Sequence, residues 1–147
     1  MTESRFRQFL VLYVLLELVS IALGYVPNSY SPALTVAYSN EPNSWLLQKT
    51  WVLVGVFAPL AAAGIAGLIG LFFFRAWGRT LSVGFTVAVL VVMPLGGPTL
   101  YSALEQSPSE AASITWGIIL ALAYWSPVSN RFSANYSLKR TAADGLR

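Results

Sequence analysis

The chain has no cysteine and no histidine. Their absence excludes disulfide frameworks, thiol redox chemistry, the usual zinc sites and the Ser/His or Cys/His pairs of nucleophilic hydrolases. Acidic residues are nearly as scarce, with six in 147 positions, and Glu17 alone lies inside an apolar run. No carboxylate pair is available for acid–base work on a lipid, so no enzymatic activity, metal or cofactor is expected. Charge is thin throughout: 10% of residues are charged and 56% hydrophobic, against roughly 25% and about 45 to 50% in a soluble domain. The apolar content is surplus to a soluble core.

In place of charge stand four long apolar runs, at about 6–26, 46–74, 80–103 and 112–127. About 20 apolar residues cross a hydrocarbon core of roughly 30 Å. The expected fold is therefore all-α, a single integral membrane bundle of four transmembrane helices over residues 1–147. A short basic start before the first run also suits a signal peptide, and Ala22-Leu23-Gly24 resembles a cleavage site. Glu17 inside the run and its length favour an uncleaved span.

Arg5, Arg7, Arg75, Arg79, Arg131, Lys139, Arg140 and Arg147 fall on one side of such a bundle, and only Lys49 on the other. Short loops rich in Lys and Arg stay cytoplasmic. Both termini are thus expected in the cytoplasm, with a cytoplasmic tail over 128–147 and outward loops over 27–45 and 104–111. The sequence pI near 9.5 follows from these flanks and points to anionic lipid headgroups, with no nucleic-acid partner. Asn135-Tyr136-Ser137, the one glycosylation sequon, lies on the cytoplasmic side and is silent.

Pro27, Pro32 and Pro42 with three asparagines predict an irregular interfacial segment after the first span, flanked by Tyr25, Tyr30, Tyr38, Trp45 and Trp51. The second span carries two small-residue ladders, Gly55, Pro59, Ala63 and Gly67, then Ala62, Ala66 and Gly70. Such ladders let helix backbones approach closely. Pro59 removes a backbone hydrogen bond and is expected to bend the helix. Arg75 to Arg79 reads as a tight turn. The third span meets Pro94, Gly96, Gly97 and Pro98 after Met93. Thr80 to Met93 covers only about 20 Å, so the helix must be kinked toward Leu104 or interrupted near Pro94–Pro98.

Glu17 lies roughly 14 Å from the cytoplasmic end of the first span, near mid-membrane, where an unpaired carboxylate costs several kcal/mol. Tyr13, Ser20 and Gly24 share its helical face. This stripe is expected to turn inward against the ladder of the second span. Lys49, the lone embedded cation, sits too far outward to pair with it without reaching against its snorkelling preference. A neutral Glu17 bonded to a carbonyl or hydroxyl is the structural reading. The functional one is a proton or cation site beside loosened backbone at Pro94 to Pro98.

Two resemblances bear on function. The stretch Trp125-Ser-Pro-Val-Ser129-Asn-Arg131-Phe132-Ser-Ala-Asn-Tyr136, with Arg75-Ala-Trp77-Gly-Arg79 and Pro94-Leu95-Gly96, resembles small bacterial four-span proteins of unknown function. That resemblance implies a bacterial inner-membrane protein and supplies no activity. Four spans with one Glu in the first is also similar to the small multidrug-resistance transporters. In that family the Glu follows Ala and precedes a nearby Lys, whereas Leu16 precedes Glu17 here and no Lys follows. The eight-to-one basic bias also departs from their dual insertion.

Two functions follow as expectations. One is a non-enzymatic accessory, assembly or interaction subunit, embedded in the bilayer and bound to another membrane protein or to itself. The other is a small secondary transporter or proton- or cation-coupled oligomer using Glu17.

Overall fold

The computed structural model describes residues 2–26, 30–40, 49–96 and 100–132, with the backbone alone at Leu53, Leu95 and Gly96. Every regular element among them is helical: α1 (Glu3–Gly24), α2 (Pro32–Ser39), α3 (Thr50–Phe72), α4 (Ala76–Val92) and α5 (Ala103–Trp125). Two 3₁₀ turns, Met93–Gly96 and Pro127–Phe132, follow α4 and α5.

Local chemistry explains the helix ends. Thr2 accepts the N–H of Arg5 at the start of α1, and Ser31 accepts that of Leu34, with Pro32 at the first helical position of α2. The segment expected to be irregular thus holds a two-turn helix. Ser102 likewise accepts the Glu105 N–H at 3.2 Å. This cap starts α5 nine residues before the expected fourth span, so the acidic stretch 104–111 is helix and not loop.

At its other end α3 closes with Phe74 at φ 53°. The Arg75 N–H reaches Gly70 O at 2.8 Å and the Phe74 N–H reaches Leu71 O at 3.1 Å, the paired bonds of a Schellman cap. Because this cap turns the chain within three residues, α4 begins at Ala76. The expected turn over Arg75–Arg79 lies mostly inside α4. Pro94 has no N–H to offer the Leu90 carbonyl, and α4 ends at Val92 in a 3₁₀ turn. Of the two expected outcomes, a kink toward Leu104 or an interruption near Pro94–Pro98, the helix takes the interruption. Gly97 and Pro98 lie outside the described residues. By contrast, α3 runs without interruption through Pro59.

α1 packs along α5, and α3 along α4. Both pairs are antiparallel: Phe6 sits by Phe132 and Ser20 by Glu105 in the first, and Gly70 by Gly78 and Gly64 by Phe85 in the second. α4 and α5 join the pairs more lightly, and α1 touches α3 only sparsely. The order around the bundle is α1, α5, α4, α3, with an open seam between its ends.

The buried core gathers Phe6, Leu10, Leu71, Trp116, Ile119 and Ala123, closed by Val128 and Phe132 of the turn after α5. Phe132 is 1% exposed, so Val128 and Phe132 of the expected tail pack into the core, while Asn130 between them stays exposed. Large apolar side chains face outward on every helix. By length and composition, α1 and α3 qualify to cross a membrane, and α4, apolar over 17 residues, is shorter. Among the described residues, all-helical in their regular structure, two helices are both long and apolar enough to cross a membrane where four were expected. α4 covers about 25 Å, and α5 opens on two turns bearing Glu105 and Glu110.

Candidate functional site

Three polar layers thread the bundle. In the middle layer the Tyr13 phenol and the Glu17 carboxyl group stand one turn apart on the same face of α1. The Tyr13 ring lies 4.9 Å from the Trp116 ring of α5. Trp116 Nε1 donates to Thr86 Oγ1 of α4 at 2.8 Å, and that hydroxyl donates to Ser82 O at 2.8 Å. Phe85 meets Trp116 edge-on at 6.5 Å. Three side chains, Trp116 of α5 with Thr86 and Phe85 of α4, thus back the phenol beside the half-buried carboxylate. Each polar atom of Trp116 and Thr86 has a partner, as groups inside an apolar bundle require.

The outer layer is built on the start of α5. Ser20 Oγ donates to the Glu105 carbonyl at 3.0 Å, and the Tyr30 hydroxyl donates to Glu105 Oε2 at 2.8 Å. The Glu105 carboxylate passes directly over Gly24, where an added Cβ would lie 3.1 Å from Oε1. Hydrogen bonding to Glu105 raises the Tyr30 phenol above its ordinary value of 10.0, because a carboxylate stabilises the protonated hydroxyl.

At the inner end Phe6, Phe74 and Phe132 form a ring cluster with centroids 5.3 to 6.0 Å apart. Arg79 lies 5.0 Å over Tyr124 and 5.1 Å over Phe132, and its Nη1 donates to Ala123 O. Arg7 stands over Phe72 and Phe74 at 5.1 and 5.4 Å. Arg131 pairs with Glu3 at 2.9 Å. Cations over aromatic faces at such distances are attractive by about 0.5 to 2 kcal/mol.

Glu17 and Tyr13 are brought together, and Ser20 lies one turn beyond, but their stripe turns against α5 and not against α3. The reason is in the glycines. α3 uses its small face on α4, where an added Cβ at Gly64 would meet Phe85 at 2.9 Å, at Gly67 the Ser82 hydroxyl at 2.7 Å, and at Gly70 the Gly78 Cα at 2.5 Å. Gly67 and Gly70 belong to this seam, with Gly64 the addition that the four-residue ladders missed. Ala63 and Ala66 are half-buried, and Ala62 is exposed. Gly55 has open space around it. Lys49 precedes α3 as an exposed residue, outside the helix in which it was expected to be embedded.

Pro94 and Gly96 close the turn after α4. Two grooves open beside α1, one of about 1020 Å³ between α1, Phe72 and the turn after α5 and one of about 320 Å³ between α1 and α3, and neither is lined by Glu17 or Pro94. The broken end of α4 and Glu17 thus do not share either groove. Among the described residues no three metal-binding side chains cluster. The arrangement at this layer is a carboxyl group on α1 one turn from a phenol that stacks on Trp116, itself bonded to Thr86. Trp116, Thr86 and Glu105 escaped the sequence reading. The signal for Glu105 was its place three residues after Ser102, the spacing of a capping box.

Compared with known proteins, the chain matches no protein-family model, no curated protein and no solved structure.

Proposed function

We propose that the chain is a non-enzymatic four-span protein of the bacterial inner membrane, with both termini cytoplasmic, acting as an accessory or assembly subunit. The observation that carries the reading is the outward apolar surface. Leu90, Ile114 and Ile65 are each more than 60% exposed, on α4, α5 and α3, and α1 exposes large aliphatic side chains over the side turned away from α5. Water does not tolerate such continuous apolar faces, whereas lipid or a membrane partner covers them at no such cost. Alternating antiparallel helices, with basic residues gathered at the Arg7, Arg79 and Arg131 end, support cytoplasmic placement of that end. A partner is another membrane protein or a second copy.

The test is affinity purification of the tagged chain from its native membranes. A stoichiometric membrane polypeptide supports the subunit reading, and a chain recovered alone and monomeric speaks against it. The second reading, a proton- or cation-coupled transporter, draws on the Glu17–Tyr13 pair beside Trp116 and Thr86. Glu17→Gln keeps a hydrogen-bonding group of the same size. A loss of pH-dependent transport or growth at unchanged protein level would favour the transporter.

A further inference from the structure

The seam between α1 and α3 is open along its inner half. The larger groove at its inner end has a polar mouth, where Glu3, Ser4, Arg7 and Gln8 of α1 face Arg131 of the turn after α5, and an apolar floor of Val11, Leu15 and Phe72. The smaller groove shares Val11, Leu15 and Phe72 and continues between Leu68 and Ile69 of α3, up to Val14 of α1. Together they form one cleft that is charged at the end and apolar along its length. From Ser4 to Val14 the cleft spans about 15 Å along α1, half of a hydrocarbon core of roughly 30 Å. That is the depth of one leaflet, which a single acyl chain occupies.

Charge selects the head of the occupant. Arg7 is exposed at the mouth with its guanidinium held over the Phe72 and Phe74 rings. These ring faces attract the guanidinium without accepting its in-plane N–H groups, which are left to an anion. Arg131 adds a second guanidinium, braced by Glu3, and Ser4 and Gln8 add neutral donors beside them. A second transmembrane helix would need an apolar edge along the whole seam, whereas this mouth is polar.

We infer that the α1–α3 cleft is a binding site for one anionic phospholipid of the cytoplasmic leaflet, its phosphate held at Arg7 and one acyl chain lying between Val11, Leu15, Leu68 and Phe72. The inference rests on the membrane reading of the chain. Carbonate washing of native membranes checks that reading separately, since a chain released by the wash is not integral whatever it binds.

The experiment uses the purified full-length chain in mild detergent and two photoreactive lipids with the same diazirine acyl chain, phosphatidylglycerol and phosphatidylcholine. Crosslinked peptides are located by mass spectrometry. The expected result is labelling of α1 and α3 at the cleft, several-fold stronger with phosphatidylglycerol. Arg7→Gln reduces that preference about fivefold, the equivalent of the ~1 kcal/mol of one basic residue at an anionic leaflet. Leu15→Trp fills the floor and removes cleft labelling, while Val87→Trp, at an exposed position of α4, leaves it intact. Far-UV circular dichroism confirms that each variant folds, and Arg7→Gln carries the test if Leu15→Trp does not. Equal labelling by both lipids, an undiminished preference in Arg7→Gln, labels scattered over all helices, or a polypeptide crosslinked in the cleft would each overturn the inference.

Discussion

Gly78→Ala strains the α3–α4 pair directly. A methyl group at Gly78 would collide with backbone atoms of α3, with Gly70 Cα at 2.6 Å and Leu71 N at 2.8 Å. Carbon atoms in contact sit about 3.5 to 4.0 Å apart, so α4 must move from α3 by about 1 Å. No side-chain rotation relieves a backbone clash, and the same movement loosens Gly67 on Ser82 and Gly64 on Phe85. Overpacking of this kind costs about 3 kcal/mol at its upper end, offset by about 1 kcal/mol of helix propensity gained on leaving glycine. The net expectation is about 2 kcal/mol of destabilisation. Gly84→Ala, on the same helix with nothing within 4 Å, keeps only the propensity gain and is stabilised by up to about 1 kcal/mol. Reversible unfolding in mixed micelles with rising dodecyl sulfate, followed by far-UV circular dichroism, measures both. A Gly78→Ala chain as stable as the parent, or both variants shifting in one direction, would refute the close α3–α4 crossing.

Other outcomes follow from single contacts. Ser82 Oγ is buried with no hydrogen-bond partner among the described residues, so Ser82→Ala should match or exceed the parent by about 1 kcal/mol in the same unfolding assay; a clear loss would mean the hydroxyl is bonded. Phe74 combines a left-handed backbone with a place in the inner ring cluster; both Phe74→Ala and Phe74→Gly should destabilise, and the glycine variant should be the milder by about 1 kcal/mol because it alone relieves the backbone. The raised Tyr30 phenol means that the folded state holds this proton more tightly than the unfolded one. Its contribution is fully present below the ordinary tyrosine value of 10.0 and is lost as pH rises through the higher folded value. The stability difference between the parent and Tyr30→Phe should therefore shrink above pH 10, and a difference constant to pH 11 would contradict the Tyr30–Glu105 bond.

The class of the fold was legible because apolar runs and helix signals are local. The run from Phe6 onward matches α1, and Ser31-Pro32 and Ser102-x-x-Glu105 carried the starts of α2 and α5, although proline density and acidic composition obscured them. The Phe74 turn was hidden because a left-handed cap usually announces itself by glycine. Which helices pair was not legible. A small-residue face says that a backbone can come close, not whose, and α3 spends that face on α4. Glu17 and Tyr13 were legible as one helical face. Trp116 and Thr86, which close the other side of that site, reach it only through the pairing of α5 with α1 and α4, 30 residues apart in the chain.

The central claim is that the chain crosses the bilayer four times with its Arg-rich end in the cytoplasm. With no native cysteine, single substitutions report position without background. Ser4→Cys, Ser39→Cys, Ala76→Cys and Ser107→Cys lie at exposed positions near the ends of α1, α2, α4 and α5. A membrane-impermeant maleimide applied to intact cells with a permeable outer membrane should label Ser39→Cys and Ser107→Cys, and should reach Ser4→Cys and Ala76→Cys only after lysis. Labelling of Ser4→Cys or Ala76→Cys in intact cells, or protection of Ser107→Cys until lysis, would contradict the four-span topology.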